Sequence, residues 1–428
     1  MVNIMRVLLV GAGGRENAIA EALAKEAELY VVGGHKNPPG IARIAKDYGL
    51  AKETNVGKVL EFALKWGGVD MAFIGPEAPL GGEGIVNVLE ENGIPTVGPS
   101  KEAAMLETNK AFARQLMEKY KVPGRKLFRV FDDVSEMKAW IDDFGRPVVV
   151  KPPLGLTGGK GGVKVVGYQL KDNEEAKTYA EKLIKRDGKV LIEERTDGVE
   201  FTFQVFTDGK RVVPMPPLAQ DYPHAYEGDV GPITGGMGSY SCSNHLLPFI
   251  TEKDYEKALE TLKATVEAMR KNGTPYRGIL YGQFMLAKDE PKIIEFNVRF
   301  GDPEAMNVLP ILKSSLVEVG EGIVDGNLKG AEFERKATVV KYIAPKGYPT
   351  NPIRGGVKLH VDETKIREEG ARVYYASLDE NFTMLGSRAL AVVGIAESLE
   401  EAERIASAGI KHVRGRFSTG KTWERGRA

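Results

Sequence analysis

Glu295, Asn297 and Arg299 alternate with Phe296, Val298 and Phe300 in the stretch IIEFNVRFGDPE at 293–304. In an extended chain alternate side chains share a face. One face is therefore apolar and can be buried. The other presents a carboxylate, an amide oxygen and a guanidinium in a row. The first two are hard oxygen ligands of the kind magnesium accepts alongside nucleotide phosphates. The third suits a carboxylate or phosphate held bidentately. Gly301-Asp302-Pro303-Glu304 predicts a turn into a helix, with Asp302 as N-cap, Pro303 at the first helical position and Glu304 in the first turn. Taken singly, each residue is better read as part of a strand, a salt bridge or a capped helix. The whole row points to a metal–phosphate site.

Phosphates need donors, and the chain offers several. Gly11-Ala12-Gly13-Gly14-Arg15-Glu16 follows an apolar strand at 5–10 and precedes a helical pattern at 17–27. Backbone N–H groups at a helix N-terminus, together with Arg15, suit a phosphate monoester. A dinucleotide site is disfavoured. Its fingerprint needs a small residue where Glu16 stands, and an acidic residue after the second strand, where Gly33-Gly34-His35 stands. Gly75-Pro76-Glu77-Ala78-Pro79-Leu80 follows another strand, and in an open α/β sheet both loops face one crevice beyond the strands' carboxyl ends. Rigid turns without a ligand are the plainer alternative.

Lys151 ends an apolar strand at 147–151. The loop PPLGLTGGKGG after it reads as a hairpin tip carrying Lys160, able to close over triphosphate oxygens and exclude water. It is not a P-loop, because Leu154 and Gly161 stand where that motif needs Gly and Ser or Thr. A literal match to the P-loop at 415–422 is set aside, since too few residues follow it for the required helix.

The elements that must position these groups can be read in order. Strands at 29–32, 69–74 and 95–97 and helices at 56–66 and 84–91 make the first hundred residues an open parallel sheet. A helix at 109–120 carries Lys110. Helices at 134–144 and 173–186 flank strands at 147–151 and 189–194. Glu193 ends the latter, and Glu200 shares a polar face with Thr202 and Gln204 on a strand at 200–206. An adenine and a ribose could dock at such a strand edge, though either glutamate alone reads equally as a solvated face. A strand at 276–286 pairs antiparallel with 292–296, placing Gln283 across from the Glu295 strand, its side-chain oxygen a further candidate for the same metal. Residues 215–245 show little periodicity, and a stretch expected to lack regular structure in a compact protein is usually functional. There Gly235-Gly236-Met237-Gly238-Ser239 offers backbone donors to a phosphate or carboxylate, with Asp221 and His224 upstream. The last part, with strands near 337–343, 357–359, 372–375 and 389–393 and a helix at 397–408, reads as a β-rich cover without chemistry of its own.

Composition narrows the partners. A chain of 428 residues exceeds one ordinary core, so about two to four domains are expected. Lys+Arg and Asp+Glu are equal at 59 each, which argues against nucleic acid or an anionic membrane as a bulk partner. A single cysteine, Cys242, excludes an intramolecular disulfide and fits a reducing compartment. The five histidines show no close metal-ligand spacing. No apolar run approaches the ~18 residues of a membrane span, and the N-terminus enters a strand directly. A cytoplasmic protein is expected.

Together, a lid lysine, strand-end glutamates and a Glu-x-Asn row after an antiparallel hairpin resemble the ATP-grasp ligases. The glycine turn with Arg15-Glu16, GPEAPL, TGGMG and IEFNVRFGDPE, in this order, resemble the phosphoribosylamine–glycine ligase family of purine synthesis, from the N-terminus to about residue 312. The resemblance implies an N-terminal doubly wound parallel sheet at 1–103, a central ATP-grasp fold at 104–328 with a lid subdomain at 123–193, and a C-terminal β-rich domain at 329–428, a mixed α/β and α+β architecture. It implies ATP and Mg2+ or Mn2+, with Glu295, Asn297 and, less directly, Gln283 at the metal. Lys110, Lys151 and Lys160 fall at nucleotide-phosphate positions, and Glu193 and Glu200 on the adenine and ribose side. Gly13, Gly14, Arg15, Glu16, Pro76 and Glu77 face the ribosylamine phosphate. Arg299 and Asp302 are the candidate catalytic residues, and with Asp221 and Gly235, Gly236, Met237 and Gly238 they fall toward the amino acid and the amine. The chain departs from the family pattern at Lys151-Pro152-Pro153-Leu154-Gly155, where Lys-Ala-Asp-Gly-Leu is usual, at Ile233, where Asn is usual, and at Gln283, where several grasp ligases carry a carboxylate. The implied partners are small molecules, with a monomer or small homo-oligomer expected. The alternatives are another ATP-grasp carboxylate–amine ligase and, less favoured, a dinucleotide-dependent oxidoreductase.

Overall fold

Met5–Val10 is fully apolar from Val7 onward and buried on both faces, as the central strand of a parallel sheet must be. In the computed structural model, which describes residues 4–154, 162–226, 230–288, 290–353 and 356–419, it lies between Ala27–Gly33 and Met71–Ile74. The full order is Asp47–Leu50, Ala27–Gly33, Met5–Val10, Met71–Ile74, Thr96–Val97. The order reverses between Met5–Val10 and Met71–Ile74. That switch point is where an open α/β sheet forms its crevice, and the loops at Gly11 and Gly75 both leave the sheet there. The edge strand Asp47–Leu50 was not expected: DYGL has no alternation and too few β-formers to be read as one. The first helix runs Gly14–Leu23 rather than 17–27. It begins inside the glycine turn, and Ala27 already belongs to the next strand.

The central part holds two four-stranded antiparallel sheets. One has the order Phe128–Phe131, Val190–Glu194, Val148–Lys151, Lys164–Val165 and is packed by helices Val134–Phe144 and Asn173–Asp187. The other has the order Val212–Pro214, Val199–Asp208, Arg277–Leu286, Pro291–Asn297, with helix Glu252–Lys271 against it.

Residues 215–245 are not structureless. Gln220–Asp221, His224–Tyr226, Val230–Ile233 and Gly238–Ser241 are short strands. Gly238–Ser241 pairs with Ala337–Pro345, about a hundred residues away in the chain. The resulting sheet has the order Gln220–Asp221, Gly238–Ser241, Ala337–Pro345, Leu390–Ala396, Arg372–Tyr375, with Phe417–Thr419 also on Ala337–Pro345. The C-terminal sheet thus takes strands from the middle of the chain. The strand expected at 357–359 is reduced to a bridge at Lys358, and His360–Val361 pairs instead with Val413–Arg414.

The residues after the Glu295–Arg299 row lie at the centre of this arrangement. Phe300, Met306, Val308 and Leu309 pack in one core with Val7 and Leu9 of the first sheet and Tyr342 and Tyr374 of the last. Asn307 is fully buried and donates to Thr338 Oγ1 at 2.9 Å.

Candidate active site

The hairpin register sets out the row. Gln283 pairs with Glu295 and Tyr281 with Asn297, while Phe296, Val298 and Phe300 are buried as the alternation requires. Lys110, first residue of helix Lys110–Lys119, brings its Nζ to 3.1 Å from Glu295 Oε2. That ammonium is the main reason the Glu295 carboxyl sits below its ordinary range despite its burial. Asn297 Oδ1 accepts from Arg299 Nη2 at 3.0 Å. Among the described residues no three His, Cys, Asp or Glu gather as a metal cluster. An ionised carboxylate and an amide oxygen are still a fitting donor set for Mg2+ or Mn2+, which keep several ligands from water and phosphate. Gln283 stands opposite Glu295, but its amide is engaged: the oxygen accepts from the Tyr281 hydroxyl and Nε2 donates to Glu200 at 3.0 Å.

Lys151, at the end of Val148–Lys151, donates to the Ile294 carbonyl at 3.2 Å, so both lysines expected at nucleotide phosphates flank the Glu295 strand. Lys160 lies outside the described residues. Glu193 has no exposed surface and is surrounded by three cations: Arg114 at 2.6 Å, Lys151 at 2.9 Å and Lys126 at 3.7 Å. Burial opposes its ionisation, yet Arg114, Lys151 and Lys126 together hold the carboxyl well below the usual range. Burial in turn pushes the Lys151 ammonium down to about 8, and Glu193 only partly offsets this. Arg114 also donates to the Ile294 carbonyl at 2.5 Å, so strand, lysine and glutamate form one unit.

Arg299 joins this unit to the N-terminal sheet. Its Nε lies 3.3 Å from Glu77 Oε2 and its Nη2 3.7 Å from Glu107 Oε1. Burial raises the Glu107 carboxyl, whose second oxygen accepts from Val298 N–H at 2.7 Å. For Glu77 burial is outweighed by Arg299 and Arg15, and its carboxyl is lowered. Arg15 reaches the Phe300 carbonyl at 3.3 Å and Glu77 at 4.0 Å. In the glycine turn, Gly13 N–H and Arg15 Nε donate to the Glu16 carboxylate at 2.7 and 2.6 Å. Two donors expected to meet a phosphate are thus turned onto an internal anion. Pro76 packs so closely on the turn that a Cβ at Gly11 would lie 2.9 Å from its Cδ.

Asp302 does not cap a helix. The short helix is Ala305–Val308, entered through Glu304 without a side-chain cap. The Asp302 carboxylate is drawn away by the C-terminal sheet: the Tyr342 hydroxyl donates to Oδ1 at 2.6 Å and Arg388 Nη2 to Oδ2 at 3.0 Å. Glu304 Oε1 lies 3.0 Å from the same Tyr281 hydroxyl oxygen. Burial, then Glu304 and Glu200, push the Asp221 carboxyl up. In the 235–238 turn, Gly236 N–H donates to Thr234 Oγ1 and Met237 N–H to the Tyr222 carbonyl. Gly238 is the first residue of its strand. The Gly235 and Gly236 carbonyls accept from Arg388.

Sequence reasoning passed over Arg114, Lys126, Glu107, Tyr281, Tyr342 and Arg388. Arg114 had a readable signal, since it follows Lys110 by four residues and shares its helix face. Tyr342 and Arg388 had none, because only the chain's return across the site brings them there.

Comparison with known proteins identifies the family. Family models described as phosphoribosylglycinamide synthetase match in three parts: the N domain at 5–107, the ATP-grasp (A) domain at 108–305 and the C domain at 338–419. A curated relative from Thermococcus kodakarensis, named phosphoribosylamine–glycine ligase, is 89% identical over 96% of this chain and 94% of its own length. One of the same name from Pyrococcus furiosus is 75% identical over 96% and 92%. The crystal structure of phosphoribosylamine–glycine ligase from Thermotoga maritima superposes with a TM-score of 0.82 at 29% identity, over 98% of this chain and 99% of that one. Biotin carboxylase from Campylobacter jejuni, 16% identical, shares the fold with a TM-score of 0.76 over 97% and 93%.

Proposed function

Because the chain belongs to the phosphoribosylglycinamide synthetase family, we propose that the row from Glu295 to Arg299, with Lys110 and Lys151 beside it, is the nucleotide end of its ligase site. The enzyme is an ATP-dependent ligase of purine biosynthesis that joins glycine to 5-phosphoribosylamine. A carboxylate does not react with an amine until its oxygen becomes a leaving group. ATP transfers its γ-phosphoryl to glycine's carboxylate, giving glycyl phosphate. The amine of phosphoribosylamine then displaces phosphate, so that glycinamide ribonucleotide, ADP and phosphate leave.

Lys110 and Lys151 neutralise nucleotide phosphate oxygens, with Lys160 assigned to the same role. Glu295 and Asn297 would hold a divalent cation, Mg2+ or Mn2+, which would supply further positive charge to those phosphates. Glu193 keeps Lys151 charged and Glu200 faces the ribose. Arg299 neutralises the carboxylate as it is phosphorylated, and Asp302 and Asp221 lie toward the amine. The turn from Gly13 to Glu16, with Pro76 and Glu77, faces the ribosylamine phosphate, and Gly235 to Gly238 line the acceptor side. The domains are assigned as 1–103, 104–328 and 329–428. The enzyme acts as a monomer or small homo-oligomer in the cytoplasm; among the described residues no helix is long and apolar enough to cross a membrane.

The observation that carries this reading is Arg299, which links Asn297 of the metal row to Glu77 of the crevice loop. Phosphate release, measured with glycine and phosphoribosylamine supplied and omitted in turn, tests it. Release should require both. Full release with a different acid or amine, and none with this pair, would place the chain with another grasp ligase.

A further inference from the structure

Both oxygens of Asp302 are held by the C-terminal domain, one by Tyr342 and one by Arg388. We propose that Arg388 is a positioning residue for the acceptor side of the site, fixing Asp302 and the Gly235-Gly236 turn at one separation, with Tyr342 completing the hold. The proposal rests on the reading above that Asp302 and this turn face the acceptor substrates.

Arg388 Nη1 donates to the carbonyls of Gly235 at 2.7 Å, Gly236 at 2.8 Å and Asp302 at 3.1 Å, while Nη2 donates to Asp302 Oδ2 at 3.0 Å. A planar guanidinium can serve carbonyls and a carboxylate at once; a lysine ammonium, a point charge on a flexible stem, cannot reproduce that fork. The guanidinium carbon sits 4.5 Å over the Tyr342 ring. The Tyr342 hydroxyl takes the remaining Asp302 oxygen at 2.6 Å, which leaves the carboxylate little freedom to rotate.

The support behind these two side chains is rigid. Arg388 is held on either side by backbone bonds, its own carbonyl accepting from Ser377 and the next N–H, Ala389, donating to Ile343. Tyr342 lies on Ala337–Pro345, the strand that also pairs with Gly238–Ser241, so one strand anchors both the end of the turn and the partner of Asp302. The two loops also touch directly, since a Cβ on Gly236 would stand 2.7 Å from Pro303 Cδ. On its far side the Tyr342 hydroxyl closes on Gly14 of the N-terminal turn, where a Cβ would collide with it. Turn, aspartate and glycine loop come from different parts of the chain and meet at this arginine–tyrosine pair. Pre-set geometry of this kind acts on orientation of the substrate, and a small misplacement is felt strongly in rate or affinity.

The test is steady-state kinetics on full-length Arg388→Lys, Tyr342→Phe and Asp302→Asn, varying ATP, glycine and phosphoribosylamine separately. Arg388→Lys should raise the KM of glycine or phosphoribosylamine by about tenfold or more, with the KM of ATP within about twofold of wild type. Tyr342→Phe, which deletes one oxygen, should move the same constant in the same direction by less, and it decides the matter if Arg388→Lys does not fold. A lowered melting temperature with all three constants unchanged, or a rise in the ATP constant equal to that of the acceptor, would reduce Arg388 to a structural tie. If Asp302→Asn raises an acceptor KM and the other two variants do not, positioning by Arg388 is refuted and the site reading stands. If Asp302→Asn moves neither acceptor constant, the assignment of Asp302 itself is wrong.

Discussion

Glu193→Gln removes a charge without opening a cavity, so its consequences are electrostatic. The wild-type carboxylate is completely buried and answers three cations within 3.7 Å. Breaking a buried pair from one side costs about 3–5 kcal/mol, because the partner charge is left uncompensated. Part of that cost can be relieved by proton loss from Lys151, though not at Arg114, which stays charged. Lys151 already sits at about 8 through burial, and each pH unit needed to neutralise an ammonium costs only about 1.4 kcal/mol. With Glu193 gone, Lys151 sheds its proton more readily. The expected loss is about 3 kcal/mol near pH 6, and it has a sign with pH. A lysine whose folded value lies below its unfolded value binds fewer protons folded than unfolded across that interval, so stability rises with pH there. The variant's interval begins lower, hence its deficit shrinks between pH 6 and pH 9. Urea unfolding followed through Trp140, which packs in the same subdomain core, in a Trp66→Phe, Trp423→Phe background, measures this. A deficit under about 1 kcal/mol, or one equal at both pH values, would refute the account of Glu193 as the counter-ion that keeps Lys151 charged.

Three further outcomes are expected. Glu295→Gln should lower turnover by about 100-fold or more while the urea midpoint stays near wild type, and near-normal turnover would remove Glu295 from the metal site. In the wild type, kcat/KM for ATP should decline above a pH of about 8 as Lys151 loses its proton; Lys151→Arg should abolish that decline, and its persistence would assign it elsewhere. Gly14→Ala, whose Cβ would strike the Tyr342 hydroxyl and lie 3.5 Å from Ala376 Cβ, should cost about 1–3 kcal/mol. In a double-mutant cycle Tyr342→Phe should recover part of that loss, and full additivity would show that the two do not touch.

Local chemistry was legible wherever the signal was periodic or punctuated. Helices Val134–Phe144 and Asn173–Asp187 fall within one residue of the expected spans because cap and apolar face lie within one segment. That Gln283 lies across from the Glu295 strand followed from one short hairpin; its exact partner, beside a register shift at Gln283/Phe284, was fixed only by the fold. Short strands such as Asp47–Leu50 and Gly238–Ser241 were not legible. Their stability comes from partners distant in sequence, and four residues carry too little pattern to announce them. Asp302 shows the same limit: Asp-Pro-Glu is a sound capping signal, overridden when an arginine and a tyrosine from another domain offered its carboxylate charge-assisted and hydroxyl partners.

By itself the sequence determined which side chains share one polar face, since alternation along one strand orders Glu295, Asn297 and Arg299 whatever surrounds them. Only the tertiary structure decided how those groups are held and charged. Three cations converge on Glu193, Glu16 satisfies the glycine turn, and Arg388 crosses from the last domain to Asp302. The physical reason is that strand alternation is a property of neighbouring residues, whereas burial and ion pairing depend on which distant segments the fold brings within a few ångströms.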